Sequence, residues 1–149
     1  FPHTNLNGKI VNLYCRSIDG SKAFRPHHHL SGVNGVFNCK NLLNSESIFV
    51  CEGAFDALSM ESLGHSAVAI FGVNPSEDVW YWLMKGKKLI FALDNDQTGK
   101  KASFKLIMKA KMLGINCEII DEAVYQGKKD INESLIFDRS CLKKLLSRF

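Results

Sequence analysis

Several features that would place the protein in a membrane or in an oxidising compartment are absent from its sequence. No apolar run approaches the roughly 20 residues that a membrane-spanning helix needs. The N-terminus is polar and has neither the basic start nor the apolar stretch of a signal peptide. The five cysteines are widely spread and include no Cys-x-x-Cys pair, which argues against a disulfide framework and against a cysteine-built zinc site. We therefore expect a cytoplasmic protein with no zinc and no membrane partner.

The length and composition indicate one globular domain, or one domain with a small appendage. With 149 residues, 46% of them apolar, the chain is long enough to bury a sizeable core. Its first residue is Phe rather than Met, which leads us to expect a piece of a longer protein.

The net charge of +4 is concentrated in the first quarter of the sequence. Residues 1–40 contain five basic side chains and one acidic side chain, whereas residues 41–149 contain fourteen of each. A basic segment beside a neutral body suits a polyanionic partner such as nucleic acid, although lysines on a solvated surface explain the same pattern.

The pattern of apolar residues changes near residue 45. Before it, short β-like runs at 9–16, 23–29 and 35–38 alternate with turn residues. After it, continuous apolar strands alternate with amphipathic helices. The predicted strands are 47–51, 66–71, 88–93 and 115–120, and the predicted helices are 54–63, 75–84, 98–113, 130–137 and 139–147. This alternation predicts an α/β domain at 46–149, with a roughly four-stranded parallel sheet flanked by helices, preceded by a small basic β-rich lobe at 1–45.

Acidic residues follow two of the predicted strands at the edge where such sheets bind ligands. Glu52 comes directly after strand 47–51, and Gly53 permits a sharp turn into the next helix. Asp56 lies one helical turn further along and can face the same way. Alternatively, Glu52 is a solvated residue at a strand end and Asp56 is a first-turn acid favoured by the helix dipole.

The second acidic motif, Asp94-x-Asp96, follows strand 88–93. Side chains alternate along an extended chain, so these two carboxylates lie on one side of it. Two carboxylates this close repel each other unless they share a cation, and Mg²⁺, or Mn²⁺ in its place, is the expected ligand. The alternative is a turn in which Asp96 caps the next helix, but it explains Asp94 less well.

The third acidic segment, at 127–133, follows the fourth strand after a loop. Asp130, together with Asn132 or Glu133, would add oxygen ligands for a second metal ion. The spacing of Asp130 and Glu133 also matches a capping box at a helix start. Taken together, the three segments predict a carboxylate-only site that suits a hard cation rather than zinc.

These segments resemble the signature of a known domain. The motifs that carry the resemblance are Glu52-Gly53-x-x-Asp56, Asp94-x-Asp96-x-x-Gly99 about forty residues on, and Lys129-Asp130-x-Asn132-Glu133. They are similar to the Toprim domain of bacterial-type primases, type IA and II topoisomerases, small RNA-maturation nucleases and recombination proteins. The resemblance covers residues 47–135.

The resemblance implies a role for each of the acidic residues. Glu52 is similar to the catalytic glutamate of the family, a general acid/base or metal ligand, and Asp94 and Asp96 are similar to its metal-binding, catalytic pair. Asp56 and Asp130 match further acids of the primase branch. Asn132, also among the expected oxygen ligands, stands where cellular primases have a second aspartate, and this departure from the pattern weakens the case for a full second metal site.

The segment before residue 45 makes the resemblance more specific. Residues 8–16, Arg25 and residues 35–38 are similar to the lobe that precedes the Toprim domain in bacterial-type DNA primases, in a pattern closer to phage and mobile-element primases. This implies synthesis of RNA primers from nucleoside triphosphates on a single-stranded DNA template, with an RNA–DNA hybrid as product. It also implies that Arg16 and Arg25 contact phosphates or the template, and we expect Lys9, Lys100 and Lys129 to bind nucleic acid or nucleotide as well.

Two other functions are compatible with the same motifs. A Toprim nuclease would use the same carboxylates to cleave nucleic acid, and a non-catalytic module would keep the fold and only bind nucleic acid or recruit partners. Primases of this type usually carry a zinc-binding domain before this region and a helicase-contacting segment after it. We therefore expect a replicative helicase as partner through regions outside this chain, and weak or no activity from the chain alone.

Three consecutive histidines and two tryptophans are interpreted as having no direct role in the site. The consecutive residues His27, His28 and His29 do not predict a zinc site, because neighbours on a strand point to opposite faces and no cysteine lies nearby. Trp80 and Trp82, in a largely apolar helix, are interpreted as packing residues.

Overall fold

The computed structural model of the protein describes residues 1–17, 27–32 and 35–149. Within these ranges it contains two β-sheets and six α-helices. The strands are β1 (Pro2–Thr4), β2 (Ile10–Arg16), β3 (His27–His29), β4 (Ile48–Cys51), β5 (Ala67–Ala69), β6 (Lys88–Ala92) and β7 (Asn116–Ile119). The helices are α1 (Asn41–Asn44), α2 (Ala54–Ser62), α3 (Glu77–Leu83), α4 (Gln97–Met112), α5 (Ile131–Phe137) and α6 (Arg139–Leu146), with a 3-10 helix at Glu122–Tyr125.

The larger sheet is parallel throughout, with strand order β5-β4-β6-β7. Strand β4 is the first strand of this sheet in sequence order and lies between β5 and β6. The later strands are therefore added on both sides of β4. In open α/β sheets this reversal opens a crevice at the carboxyl ends of the strands. Cys51 is paired with Ala92 at that edge, and the residues that follow β4 and β6 therefore emerge side by side.

The alternation of side chains along the parallel strands builds a core on each face of the sheet. Phe49 of β4 and Ile90 of β6 point to one face, where α2 and α6 supply Met60, Leu142 and other apolar side chains. Their neighbours Ile48, Val50, Leu89 and Phe91 point to the other face, toward α1, α3 and α4. Burial of each large side chain contributes roughly 1.5–3 kcal/mol, so the three-layer packing explains why these strands are apolar throughout.

The smaller sheet is antiparallel, with order β1-β2-β3, and is joined to the larger one. Single β-bridges pair Val36 with Thr4 of β1 and Phe37 with Ala69 of β5. The ring of Phe1 packs edge-on against Phe37 at 6.0 Å and against Phe55 of α2 at 5.2 Å. The segment around residue 36 therefore anchors the small sheet beside the carboxyl edge of the large one.

The predicted α/β fold with its parallel sheet is confirmed, and the differences concern short elements. Residues 35–38 do not form the predicted strand, because only Val36 and Phe37 pair, each through one bridge, before a turn begins. The predicted strand 23–29 is described only over His27–His29, since 18–26 lie outside the described residues. The sequence interpretation missed β1, α1 and the 3-10 helix, each three or four residues long.

The tryptophans pack against the core as interpreted. All five cysteines lie in the described ranges and are free thiols. Trp80 is buried in the core, whereas Trp82 is half-buried. No helix in the described part of the chain combines the length and the apolar character needed to cross a membrane.

Candidate functional site

The pairing of β4 with β6 brings two acidic residues to one point of the carboxyl edge. Glu52 follows Cys51, the last residue of β4, and Asp94 comes two residues after Ala92, the last residue of β6. Glu52 and Asp94 also line the same cleft. The predicted proximity of these two positions is therefore present in the structure.

The electrostatics of Glu52 connect it to both aspartates of the second motif. Burial, together with the negative charges of Asp94 and Asp96, raises the pKa of Glu52 to about 6. The ammonium of Lys129 acts on this pKa in the opposite direction. Three carboxylates therefore share one electrostatic environment, in which an added cation is favoured.

Lys129 is the cation that balances this charge. Its Nζ lies 2.9 Å from Oδ2 of Asp94, whose side chain is only 16% exposed. The ion pair raises the pKa of Lys129. Lys129 was expected to bind nucleic acid or nucleotide, and the structure places it directly at the acidic cluster.

Backbone contacts hold the 128–130 loop against the second motif. The N–H of Asn95 donates to the carbonyl of Lys129 at 2.6 Å, and the Asn95 side-chain amide donates to the carbonyl of Lys128 at 3.1 Å. The hydroxyl of the buried Tyr125 donates to the carbonyl of Leu93. These bonds fix the position of the loop that carries Asp94 and Asp96.

Asp96 has the capping role that the alternative interpretation gave it. It is the N-cap of α4, and its Oδ1 accepts the backbone N–H of Gly99 at 2.8 Å. The cap and the electrostatic contact with Glu52 coexist, so helix capping does not exclude a role at the acidic cluster.

Gly99 allows the first turn of α4 to lie directly on the second motif. A Cβ at this position would come within 2.0 Å of the carbonyl oxygen of Asp94. Any larger residue would push α4 away from this loop. The close approach therefore explains why the last position of the Asp-x-Asp-x-x-Gly motif is glycine.

Asp56 and Asp130 form a second acidic pair beside the first. Asp56 is 8% exposed and accepts the backbone N–H of Asn132 at 3.0 Å. Burial, reinforced by the charge of Asp130, raises the pKa of Asp56 to about 7. Asp130 caps α5 by accepting the N–H of Glu133 at 2.7 Å, and the Glu133 carboxylate accepts the N–H of Lys129 at 3.1 Å.

Asn132 is placed differently from the other expected oxygen ligands. Its Oδ1 lies 3.1 Å from the hydroxyl of Ser59, which directs the amide onto α2. It does not line the cleft that contains Glu52 and Asp94. Its backbone N–H, bonded to Asp56, is the part of Asn132 that supports the site.

The acidic residues line one side of a cleft of about 420 Å³. Glu52, Asp56, Asp94 and Asp130 contribute to it, together with Lys129. Residues from the small sheet and from the end of β5 line the remainder; they are Tyr14, Arg16, His27, His29 and Phe71. Apart from Arg16, the sequence interpretation gave these residues no functional role. The period-two alternation of β3, which argued against a zinc site, could have placed His27 and His29 on one face.

The other basic residues expected at the site occupy separate positions. Arg16 is exposed at the cleft, with its guanidinium 5.6 Å from the ring centroid of Phe55. Lys9 is exposed just before β2, and Lys100 pairs with Glu122 at 2.7 Å. Lys100 lines a different pocket, on the α4 side of Asp94, and Arg25 lies outside the described residues.

The acidic cluster offers oxygen ligands for a hard cation, but its side chains are not already arranged around one metal position. Across the described ranges, no group of three His, Cys, Asp or Glu side chains is positioned to hold a metal ion. Asp94 faces Lys129 rather than a shared centre. The oxygen-only donor set and the raised pKa of Glu52 nevertheless fit a divalent cation such as Mg²⁺.

We predict that Gly99→Ala destabilises the protein by about 1–3 kcal/mol, because the new methyl group overlaps the Asp94 carbonyl. Thermal unfolding measures this as a fall in Tm of roughly 3–10 °C. Lys101→Ala, at an exposed position in the same helical turn, is the matched control and leaves Tm nearly unchanged. Equal Tm values for the two variants would show that α4 does not need this close approach.

We predict that Asp56→Asn stabilises the metal-free protein at pH 8 but not at pH 4. The folded pKa of about 7 lies above the ordinary value of 3.8, so the folded state binds the extra proton and loses stability as pH rises between these values. Asparagine removes that loss, on the order of 2–4 kcal/mol above pH 7. Denaturant unfolding in EDTA measures the difference, with the exposed Glu46→Gln as control. A stabilisation of equal size at both pH values contradicts the assignment to ionisation.

Comparisons with known proteins agree with the fold and the acidic motifs. A family model described as Toprim-like matches residues 49–135. The DNA primase of Mycoplasma genitalium is 29% identical over 80% of this chain and 21% of its own length. The DNA primase of Mycoplasma pneumoniae is 31% identical over 93% of this chain and 24% of its own length. The chain therefore spans about a fifth to a quarter of the length of these curated relatives.

Solved primase structures share the fold. The Aquifex aeolicus primase, solved with its zinc-binding and RNA polymerase domains, matches with a TM-score of 0.80 and 19% identity over 99% of this chain and 38% of that chain. A second match comes from the structure of the bacteriophage T7 lagging-strand DNA polymerase interacting with primase domains of two gp4 subunits bound to an RNA/DNA hybrid and dTTP. It has a TM-score of 0.68 and 20% identity over 97% of this chain and 74% of that chain. The Toprim-like match extends over more than half of the sequence, and the chain belongs to the Toprim-like family.

Proposed function

We propose that this chain contains the catalytic centre of a DNA primase, a nucleotidyltransferase that makes RNA primers on single-stranded DNA. The observation that carries the proposal is the convergence of Glu52 and Asp94 at adjacent strand ends, with Lys129 beside them, in one cleft. Family membership and the similarity to two DNA primases support the reaction class.

We propose Glu52, Asp94 and Asp96 as the residues that hold Mg²⁺, or Mn²⁺ in its place. Asp56 and Asp130, which line the cleft together with Glu52 and Asp94, would extend the oxygen donor set toward a second ion. A bound Mg²⁺ would supply positive charge that partly neutralises the triphosphate and stabilises negative charge developing on the oxygens of the transferred phosphoryl group. Asp94 would exchange its contact with the Lys129 ammonium for the ion.

Lys129 and Glu52 would then act on the substrates directly. In primer extension, a 3′-hydroxyl attacks the α-phosphorus of a nucleoside triphosphate, and pyrophosphate leaves. Released from Asp94, the ammonium of Lys129 would donate hydrogen bonds to phosphate oxygens. Glu52, with a pKa of about 6, is mostly ionised at neutral pH and would serve as a metal ligand or as the acceptor of the hydroxyl proton.

We also propose roles for the basic residues and for the two segments of the chain. Arg16, exposed at the cleft, would contact the phosphates of the template or nucleotide, and Arg25, Lys9 and Lys100 would add further phosphate contacts. We treat residues 1–45 as the basic lobe and 46–149 as the Toprim domain. The replicative helicase as partner, the cytoplasmic location and the phage or mobile-element type of primase stay predictions.

We predict that Glu52→Gln, Asp94→Asn and Asp96→Asn each weaken Mn²⁺ binding roughly tenfold or more, because each removes one negative charge from the donor set. Electron paramagnetic resonance titration of free Mn²⁺ measures the change. Glu46→Gln is the charge-matched control, since Glu46 is exposed and precedes β4 at the opposite edge of the sheet. A Mn²⁺ affinity that is negligible and unchanged in Asp94→Asn would favour a non-catalytic binding module.

We predict that the full-length protein that contains this chain, supplied with ribonucleotides, Mg²⁺ and a single-stranded DNA template, synthesises short RNA primers. Asp94→Asn should reduce product by at least about a hundredfold, because the transition state loses metal charge. Glu46→Gln should retain activity. Cleavage of the template without any primer synthesis would replace the primase proposal with a nuclease.

A further inference from the structure

The side of the cleft that faces the carboxylates is lined with aromatic rings. We call Tyr14, His27, His29 and Phe71 the aromatic wall. Tyr14 of β2 is paired with His29 of β3, and two residues along both strands Arg16 is paired with His27. Alternate residues share a face of a strand, so the side chains of Tyr14, Arg16, His27 and His29 project from one face of the small sheet. All four line the cleft, as does Phe71.

Tyr14 lies at the centre of the wall. Its ring centroid is 4.9 Å from that of His29, 4.5 Å from that of Phe71 and 6.0 Å from that of His27. Its hydroxyl is hydrogen-bonded to Nδ1 of His27. The contacts order the four rings relative to one another before any ligand arrives.

Phe71 is held in the cleft by an unusual backbone conformation. Its φ of 53° lies in the left-handed region, which a bulky residue rarely adopts. The ring of the buried His3 stacks beneath it at 4.3 Å with an interplanar angle of 8°. Backbone strain of this kind tends to persist at functional sites, where surrounding contacts enforce it.

Core packing does not explain the whole wall. His27 and His29 are exposed, and Tyr14 and Phe71 are only half-buried. None of the four residues belongs to either buried core, although Phe71 packs against the edge of one. The wall therefore presents ring surface to the cleft that no described part of the chain covers.

The two sides of the cleft match the two chemically different parts of a nucleotide, its charged phosphates and its flat base. One side offers carboxylates for a metal ion and the ammonium of Lys129 for phosphate. The other offers flat rings, on which nucleobases stack with little regard to sequence. The volume of about 420 Å³ lies in the range of small-molecule sites.

We propose that the aromatic wall is a nucleobase-stacking site, which holds a base while its phosphates face Lys129 and the carboxylates. The base belongs either to the incoming nucleoside triphosphate or to the nucleic-acid strand. The proposal rests on the proposed function for the orientation of the nucleotide, and it adds Tyr14 as the central stacking residue.

The test measures how strongly binding depends on the base. The intact protein is titrated with ATP and with tripolyphosphate, and with a single-stranded oligonucleotide and its abasic counterpart. Tyr14→Leu removes the ring at similar volume, and Tyr14→Phe keeps the ring but loses the hydroxyl. Tyr81→Leu, which removes an exposed tyrosine of α3, is the matched control.

We predict that Tyr14→Leu weakens binding of a base-containing ligand roughly ten- to hundredfold and leaves its base-free counterpart unchanged. Loss confined to ATP assigns the base to the incoming nucleotide, and loss confined to the oligonucleotide assigns it to the strand. Tyr14→Phe and Tyr81→Leu should bind like the unsubstituted protein. His27→Leu, at an exposed position, gives the same readout if Tyr14→Leu does not fold.

Two results would overturn the stacking proposal. One is unchanged affinity for ATP and for the oligonucleotide in folded Tyr14→Leu and His27→Leu. The other is an equal loss for ATP and tripolyphosphate, which would assign the wall to phosphate binding or to the fold. Base-dependent binding without any primer synthesis would instead leave the stacking site in place and remove the primase function.

Discussion

The site depends on the parallel pairing of β4 with β6, which brings negatively charged groups together at one edge of the sheet. Cys51 lies beside Ala92, so Glu52 and Asp94 emerge together. Burial of these carboxyl groups and, to a smaller extent, the negative charges of their neighbours disfavour ionisation, and the raised pKa values of Glu52 and Asp56 reflect that cost. The apolar strands on either side, buried on both faces, supply the stability that tolerates it.

The chain offsets the concentrated charge with groups that a substrate or a metal ion can replace. Lys129 pairs with Asp94, while the backbone N–H of Asn132 donates to Asp56. The N–H bond is part of the fold, whereas the exposed ammonium of Lys129 can move. A fixed acidic cluster with a displaceable cation is suited to exchanging one positive partner for another during a reaction cycle.

The sequence predicted the large sheet and the acidic cluster well because both follow from periodicity. Continuous apolar strands have one stable arrangement in an α/β protein, and residues directly after parallel strands must share an edge. Glu52 and Asp94 could therefore be placed together without coordinates. The capping role of Asp96 was one of the alternatives for this motif, whereas the steric role of Gly99 was not predicted and follows from the structure.

The remaining features depend on long-range contacts that leave little trace in the sequence. Strand β1 has three residues and includes Pro2, so its pairing with β2 gives no alternation to recognise. The ion pair between Lys129 and Asp94 joins residues that are 35 positions apart in the sequence, so the loop that carries Lys129 must dock against the end of β6. The aromatic wall forms only because Val36 and Phe37 join the two sheets and bring β2 and β3 to the end of β5.

The most direct test of the account is anomalous X-ray scattering from a crystal of the protein soaked in Mn²⁺. We expect one anomalous peak within about 2.5 Å of carboxylate oxygens of Glu52, Asp94 and Asp96, with the Lys129 ammonium moved away from Asp94. A structure in which Mn²⁺ binds elsewhere, while Lys129 stays paired with Asp94, would contradict the central claim that these three side chains share a divalent ion.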